Sequence, residues 1–287
     1  MKTLVAGTVP VDKFPYYVGT PSFEGKNLVL DQKVLPIGMG TLSLYSAAYL
    51  TIAHLKGEPP TLMTVGDVGK ADGSRILYQK ITEEIEELKP NVLTLHYVMP
   101  IITLVRALAL KLQKINPKPI VVADAGFMYA FKASKMGHVC NIFTPDPGEM
   151  AFLADKDAVH PAYLERHLFE IDSTSVESLI EKVKDVEGLP KMLVVKGAID
   201  YIVLDGRIIF KIDDPMVPYL EPIGGTGDTL TGILTGLIAH GLPLEKAAYY
   251  ACKINRIAGQ LSNPTPKTRV NEIISNIPKA IDLVLKI

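Results

Sequence analysis

The sequence predicts an α/β fold with a mostly parallel central sheet and helices on both faces. Short β-rich runs alternate with helical patterns along most of the 287 residues, an alternation that is typical of parallel sheets covered on both sides. No linker, internal repeat or low-complexity stretch interrupts this pattern. We therefore expect a single domain over residues 1–287, a length that suits one large α/β domain.

The predicted strands are short and apolar, as expected of strands buried on both faces. The last two are joined by Asp205 and Gly206, a pair that favours a hairpin turn. The predicted strands cover residues 4–6, 62–65, 92–95, 120–123, 142–143, 192–195, 201–204 and 208–212.

The predicted helices are recognised by apolar residues at helical spacing and by their end signals. Thr174 and Glu177 form a capping-box pattern that opens one helix. Gly57, Pro90 and Gly241 stop others. The predicted helices cover residues 42–55, 76–88, 101–115, 174–186, 228–240, 244–262 and 270–285.

Two segments are predicted to be less regular. Residues 14–35 are rich in Tyr, Phe, Gly and Pro, which indicates a small irregular hairpin that could serve as a flap or lid. Residues 155–172 have no clear period and resemble an insertion on the surface.

Composition limits the class of protein. Thirty Lys and Arg residues against 31 Asp and Glu give a net charge of −1, so no strong field favours nucleic acid or an anionic membrane. Two cysteines suit a reducing compartment, and the six histidines have no metal-ligand spacing that would predict a zinc site. Without a predicted signal peptide or membrane span, we expect a cytoplasmic enzyme for a small molecule, forming a homo-oligomer.

The most informative segment is the glycine-rich turn before the helix predicted at 228–240. Gly224, Gly225 and Gly227 permit a sharp turn and close approach of an anion to the backbone, and Thr226 adds a hydroxyl. The free N–H groups of a first helical turn can hold a phosphate. An ordinary connecting turn can have the same glycines, but Asp228 is unusual in such a turn. A carboxylate beside a phosphate repels the ligand unless a metal ion bridges the two or the aspartate takes a proton, and the combination indicates nucleotide chemistry.

A second segment, residues 143–150 (FTPDPGEM), lies between a predicted strand and a helix. Ligands of open α/β sheets bind at the carboxyl ends of the strands, where Asp146 and Glu149 would be presented. The alternative is that Glu149 serves only the helix start, where acidic residues are favoured.

Two further strand ends carry charged residues. Lys196, followed by Gly197, could provide local positive charge for a phosphate, although an isolated lysine at a strand end is more often simply solvated. Asp124 ends the strand predicted at 120–123, where it could cap the next helix or help hold a metal ion through water.

Together these segments resemble the ribokinase-like superfamily, and specifically its branch of ATP- or ADP-dependent NAD(P)H-hydrate dehydratases. The resemblance covers residues 121–260. Its motifs occur in the family's order: TPDPGEM at 144–150, Lys-Gly at 196–197, GGTGDTLTG at 224–232 and Ala-Gly at 258–259. The resemblance implies a ribokinase-like three-layer sandwich, and the first three of these motifs in this order are far more specific than any one alone.

The sequence also departs from that branch. Asp146 stands where the dehydratases have histidine. Residues 7–12 (GTVPVD), 38–40 (GMG) and 65–69 (VGDVG) look more like sugar and nucleoside kinases of the same superfamily. In those kinases an aspartate near position 12 and a glycine pair near 38–40 line the substrate pocket, although Asp12 can equally be an ordinary turn residue.

Three functions are open at this point. The resemblance implies a dehydratase that uses ATP or ADP with Mg²⁺ to drive loss of water from a hydrated nicotinamide dinucleotide. The alternative is an ATP-dependent kinase that phosphorylates a sugar or nucleoside hydroxyl. The third, which the intact Gly-Thr-Gly-Asp sequence disfavours, is a non-catalytic nucleotide-binding protein.

The candidate site residues form three groups, with no direct metal ligand assigned. The implied catalytic base is Asp228. The candidates for binding the nucleotide or an anion are Gly225, Thr226, Gly227, Lys196, Gly197 and Asn255. The candidates for binding substrate or Mg²⁺-bound water are Asp146, Glu149, Asp124, Asp12, Gly38 and Gly40.

Overall fold

The structure, a computed structural model, describes residues 1–159 and 175–286. Its strands in chain order are β1 (Thr3–Ala6), β2 (Tyr17–Gly19), β3 (Ser22–Glu24), β4 (Asn27–Leu30), β5 (Lys33–Pro36), β6 (Thr61–Thr64), β7 (Val92–Leu95), β8 (Ile120–Ala123), β9 (Ile142–Phe143), β10 (Met192–Val195), β11 (Asp200–Leu204) and β12 (Arg207–Ile212). Its α-helices are α1 (Thr41–His54), α2 (Asp72–Leu88), α3 (Ile102–Lys114), α4 (Ala125–Ala133), α5 (Pro147–Ala154), α6 (Val176–Val183), α7 (Thr226–Ala239), α8 (Leu244–Leu261), α9 (Val270–Ile274) and α10 (Ile277–Leu285).

Within these two ranges, nine strands form the main sheet, in the order β12-β11-β10-β9-β8-β7-β1-β6-β2. The strands from β10 to β6 in this order are parallel to their neighbours. Antiparallel strands close both edges: β11 and β12 on one side, β2 on the other. The predicted α/β fold with a mostly parallel sheet is therefore confirmed.

The two faces of the sheet are covered by different helices. Successive strand residues point to opposite faces, and in β1 Val5 packs with α1, α7, α8, α9 and α10, whereas Leu4 and Ala6 pack with helices from α2 to α6. Each face thus has its own apolar core. No described helix is long and apolar enough to cross a lipid bilayer.

Residues 14–35 differ from the single hairpin predicted for them. Strand β2 joins the main sheet, while β3, β4 and β5 form a separate antiparallel sheet. Leu28 and Leu30 of this small sheet are buried in the same core as α1, and the rings of Phe23 and Tyr49 are 4.8 Å apart. Whether the small sheet closes over a substrate stays a prediction.

The prediction of a single helix over residues 270–285 is wrong, because the structure has two helices there. Helix α9 ends at Ile274, and Pro278 lies in the first turn of α10. Proline has no N–H to donate and is tolerated at a helix start but not inside a helix.

Helix α6 is capped by Ser175, whose side chain accepts a hydrogen bond from the amide of Ser178. The predicted cap, Thr174, and most of the predicted insertion lie outside the described residues.

Close packing between α1 and α7 sets the position of both helix N-termini. Gly232 and Gly236, whose spacing predicts a close contact, face α1. A Cβ atom at Gly232 would lie 2.2 Å from the carbonyl oxygen of Leu44, and one at Gly236 would lie 2.5 Å from Thr51 Cγ2. The two helices run in the same direction, so their N-termini meet at the same edge of the sheet.

We expect Gly232→Ala to destabilise the protein by about 1–3 kcal/mol, because the added methyl group has no space against α1. The measurement is the free energy of unfolding in urea. Gly38→Ala is the matched control, since a Cβ atom there meets no atom within 4 Å. Equal stability of the two variants would contradict the close contact.

Candidate active site

Four polar side chains follow the parallel strands and gather at one edge of the sheet. His96 follows β7, Asp124 follows β8, Thr144 follows β9 and Lys196 follows β10. Parallel strands end at the same edge, where open α/β sheets bind ligands. Thr231 of α7 joins the group: its hydroxyl is 2.7 Å from Asp124 Oδ2 and 3.0 Å from Thr144 Oγ1.

The glycine-rich turn forms the N-terminus of α7, as the sequence predicts. Gly225 adopts a φ of 102°, which favours glycine, and the helix begins at Thr226. In the part of the chain that the structure describes, the main-chain N–H groups of residues 225–228 donate no hydrogen bond. Four donors at the positive end of the helix dipole are thus free for an anion.

Asp228 lies in this first turn, is nearly buried and is held by three donors. Its Oδ2 accepts hydrogen bonds from the Gly40 amide at 2.5 Å and from Ser43 Oγ at 3.1 Å, and its Oδ1 is 3.1 Å from His96 Nε2. Burial alone would raise the pKa of Asp228, but the hydrogen bond and charge of His96, with the amide of Gly40 and the charge of Lys196, lower this pKa well below its usual range. Asp228 is therefore ionised at neutral pH.

Lys196 forms a buried ion pair with Asp124, with Nζ 2.8 and 2.9 Å from the two carboxylate oxygens. Burial would lower the pKa of Lys196, but Asp124 and Glu149 raise it above its ordinary value. The lysine is therefore a buried, charged group rather than a solvated one. Its ammonium also lies at the start of α7, where a Cβ atom on Gly227 would be 3.6 Å from Nζ.

Asp124 caps α4, because its Oδ1 accepts a hydrogen bond from the amide of Ala125 at 2.8 Å. With Lys196 on both oxygens and Thr231 on Oδ2, this 1% exposed residue has its acceptors engaged inside the protein. A contact with metal-bound water, the other role the sequence allows, would require one of these bonds to break.

One ligand atom each from His96, Asp124 and Asp228 lie within 4.8 Å of one another, a spacing that a metal ion could bridge. The surrounding charges disfavour binding of a metal ion between these residues. Lys196 is already in contact with Asp124, and a divalent cation beside this ammonium would be strongly repelled. The cluster is better described as a network of hydrogen bonds and ion pairs.

Asp146 and Glu149 hold each other at the start of α5. Asp146 Oδ1 accepts from the amide of Glu149 at 2.7 Å, and Glu149 Oε2 accepts from the amide of Asp146 at 2.9 Å, which is a capping box. Burial, opposed by Lys196 but reinforced by Asp124 and Asp146, raises the pKa of Glu149 to about 8. The role of Glu149 at the helix start is confirmed, its contact with a ligand stays a prediction, and each carboxylate keeps one oxygen outside the box.

Asn255 of α8 supports the glycine-rich turn from behind. Its amide group donates to the carbonyl oxygen of Thr226 at 3.0 Å and accepts from Thr229 Oγ1 at 2.6 Å. The structure thus gives Asn255 contacts with the turn, and direct contact with a nucleotide stays a prediction.

Gly197 lies in an exposed loop that a buried arginine fixes. Arg256 donates to the carbonyl oxygens of Gly197 and Ala198 at 3.0 and 2.9 Å, and to Asp200 Oδ2 at 2.7 Å. The Gly197 amide donates to Asp200 Oδ1 at 3.0 Å. Arg256 and Asp200 therefore set the path of the chain immediately after Lys196.

The three candidates from the first forty residues occupy different positions. Gly40 is part of the site through its bond to Asp228 and has a φ of 93°, a conformation that favours glycine. Gly38 is exposed two residues earlier, with open space around it. Asp12 is exposed in the loop after β1, and no described hydrogen bond joins it to the cluster.

Sequence reasoning missed His96, Ser43, Thr231 and Arg256. The sequence does contain a signal for His96: it directly follows the strand predicted at 92–95, just as Asp124 follows the strand predicted at 120–123. Ser43, Thr231 and Arg256 lie inside helices, where no local pattern separates a site residue from any other polar position.

The fold and this site define a ribokinase-like protein. A ribokinase-like superfamily protein from Enterococcus faecalis has a similar solved structure, with a TM-score of 0.59 and 14% identity, covering 99% of this chain and 87% of that one. At this identity the likeness shows the fold alone. It agrees with the three-layer arrangement described above.

Residues 101–279 match the sequence model of the carbohydrate kinase family described as NAD(P)H-hydrate dehydratase. The chain belongs to this family, since the match spans more than half of it. An uncharacterised protein of Methanocaldococcus jannaschii is 40% identical over 243 residues, 85% of this chain and all of that protein. A bifunctional NAD(P)H-hydrate repair enzyme of Hyperthermus butylicus is 38% identical over 93 residues, 32% of this chain and 17% of that enzyme.

We expect Lys196→Met to destabilise the protein by about 3–5 kcal/mol, because it removes the ammonium group that pairs with both oxygens of the buried Asp124 carboxylate. The measurement is the free energy of unfolding in urea. The double variant Asp124→Asn with Lys196→Met is expected to regain part of this loss.

The matched control is Lys211→Met, which removes an exposed ion pair with Glu177 at 3.2 Å and should change stability by no more than about 1 kcal/mol. If the Lys196 and Lys211 variants lose the same stability, the buried pair does not have the role assigned to it.

Proposed function

We propose that the protein is an ATP- or ADP-dependent NAD(P)H-hydrate dehydratase. The observation that carries this proposal is the first turn of α7, where an ionised carboxylate, Asp228, lies beside free main-chain donors. Membership of the dehydratase family supports the substrate class, and the site supports chemistry between a phosphate group and a hydroxyl group.

The free amides of residues 225–228 would bind the phosphate groups of the nucleotide. Gly225 and Gly227 let an anion approach the backbone closely, and the N-terminus of α7 favours negative charge. Lys196 adds a permanent positive charge next to Gly227. Asn255 keeps the turn in place through its bond to the Thr226 carbonyl oxygen.

Mg²⁺ fits the acidic pair at the start of α5. Carboxylate oxygens are the ligands that this ion prefers, and Asp146 and Glu149 each have one oxygen outside their capping box. These residues would hold the ion directly or through water, and a bound ion would favour the ionised form of Glu149. When bound, Mg²⁺ neutralises negative charge on the phosphate groups.

Asp228 would accept the proton of the substrate hydroxyl. Hydroxide is a poor leaving group, and the nucleotide supplies the phosphoryl group that converts the hydroxyl into a phosphate. This phosphate can depart with the electron pair of the C–O bond, and loss of a proton from the neighbouring carbon then forms the double bond. The amides of residues 225–227 would stabilise charge on the transferred group. A base as weak as Asp228 suits this chemistry, because in a loose transition state the alcohol need not lose its proton early.

A kinase for a sugar or nucleoside hydroxyl is the second candidate, and one observation favours it. Gly40, Ser43 and His96, which contact Asp228, all precede residue 101, where the family match begins. The residues that hold Asp228 in place therefore precede the part of the chain matched by the dehydratase family, whereas the glycine-rich turn lies within it.

The deciding experiment is incubation with ATP or ADP and Mg²⁺ against hydrated NADH, hydrated NADPH, sugars and nucleosides. Recovery of the absorbance of the reduced nicotinamide would support the dehydratase. A phosphorylated alcohol without that recovery would select the kinase, and no turnover with any substrate would contradict both.

We expect Asp228→Asn to lower turnover about 10²–10⁴-fold, the usual contribution of a general base, while nucleotide affinity stays equal or rises. The measurements are steady-state kinetics and calorimetric titration with ADP. Asp185→Asn, an exposed position after α6, is the control and should leave both unchanged. Unchanged turnover of the Asp228 variant would remove this residue from the mechanism.

A further inference from the structure

A buried histidine lies behind Asp228, and no part of the proposed reaction uses it. His96 is 0% exposed and follows β7. Its Nε2 is 3.1 Å from Asp228 Oδ1 and 3.8 Å from Asp124 Oδ2. On the other side of the ring, Nδ1 is 3.2 Å from Thr41 Oγ1. Both ring nitrogens are therefore in polar contacts inside the protein.

The Nδ1 contact requires a proton on the histidine. Thr41 Oγ1 has a single proton, and it donates this to the carbonyl oxygen of Thr8 at 2.8 Å. A carbonyl oxygen can only accept, so the hydroxyl oxygen is left to act as the acceptor toward the ring. Nδ1 must then be the donor of the bond to Thr41.

The Nε2 contacts require a second proton. Both neighbours of Nε2 are carboxylate oxygens, which only accept when ionised. Lys196 donates to both oxygens of Asp124, and Asp228 Oδ2 accepts from the Gly40 amide, so both side chains act as acceptors. An unprotonated Nε2 would direct its lone pair at these oxygens, which would repel it because both groups can only accept. The hydrogen-bond network thus assigns a proton to each ring nitrogen.

We propose that His96 is a buried imidazolium and a positioning residue that lets a phosphate group bind beside Asp228. The proposal deepens the proposed function and depends on it for the identity of the ligand. A carboxylate next to an anion-binding turn would repel the ligand, and His96 cancels this repulsion from within the protein. No metal ion is needed between Asp228 and the phosphate.

The charges around the ring balance in this state. The groups facing His96 are Asp228 from α7 and Asp124 after β8, and the ring of Tyr97 packs edge-on at 4.3 Å. Lys196 after β10 lies behind Asp124. Two carboxylates are then matched by two cations in a largely buried cluster, where an uncompensated charge is costly.

The first test is nitrogen NMR of the protein labelled with ¹⁵N-histidine, without ligand, at pH 7. Both ring nitrogens of His96 are expected to carry a proton. The signals are assigned by comparison with His96→Gln, or with His96→Asn if the first variant does not fold. A spectrum with one unprotonated ring nitrogen at pH 7 would overturn the proposal.

The second test is a double-mutant cycle on ADP affinity. His96→Gln keeps a donor toward Asp228 but removes the positive charge, so we expect about tenfold weaker binding. In the Asp228→Asn background the same substitution should change affinity less than twofold, because there is no carboxylate charge to neutralise. A merely structural role would weaken binding equally in both backgrounds, and that result would overturn the proposal.

His54→Gln is the matched control. His54 also contacts an aspartate, Asp282, at 2.6 Å, but this pair is exposed and distant in the fold, on α1 and α10. The His54→Gln variant should therefore leave ADP affinity unchanged. If the unsubstituted protein fails to bind ADP, the proposed function is wrong, while the nitrogen spectra still decide the protonation of His96.

Discussion

The site depends on the parallel contact between α1 and α7, which places two helix N-termini around one carboxylate. Gly232 and Gly236 let the backbones come together, and at the near end Gly40 donates its amide to Asp228. Each helix N-terminus carries partial positive charge, so Asp228 is ionised by the fold itself. Its own turn keeps the four amides of residues 225–228 free.

Charge compensation explains how acidic residues can coexist with a phosphate site. Asp124 and Asp228 would make this edge of the sheet strongly negative, but Lys196 pairs with the first and His96 contacts the second. The net charge of the chain says nothing about this balance, because it arises from four side chains at the ends of strands and helices. Asn255 supports the anion-binding turn without contributing charge.

The sequence predicted the sheet, most of the helices and the nucleotide side of the site, because each has a local signal. Four-residue apolar runs identify strands, and the glycine-rich turn at 224–227 identifies a helix start. The remainder depends on distant residues. Ser43 reaches Asp228 from 185 positions away, and the break in the helix predicted at 270–285 follows from one proline. The protonation proposed for His96 depends on neighbours that are distant in the sequence and come together only in the folded protein.

The most direct measurement is a crystal structure with a non-hydrolysable ATP analogue and Mg²⁺. Our account requires phosphate oxygens within hydrogen-bonding distance of the amides of residues 225–227, with the terminal phosphate next to the carboxylate of Asp228. An analogue bound elsewhere, with these amides still without a partner, would contradict the assignment of this turn as the place where the chemistry occurs.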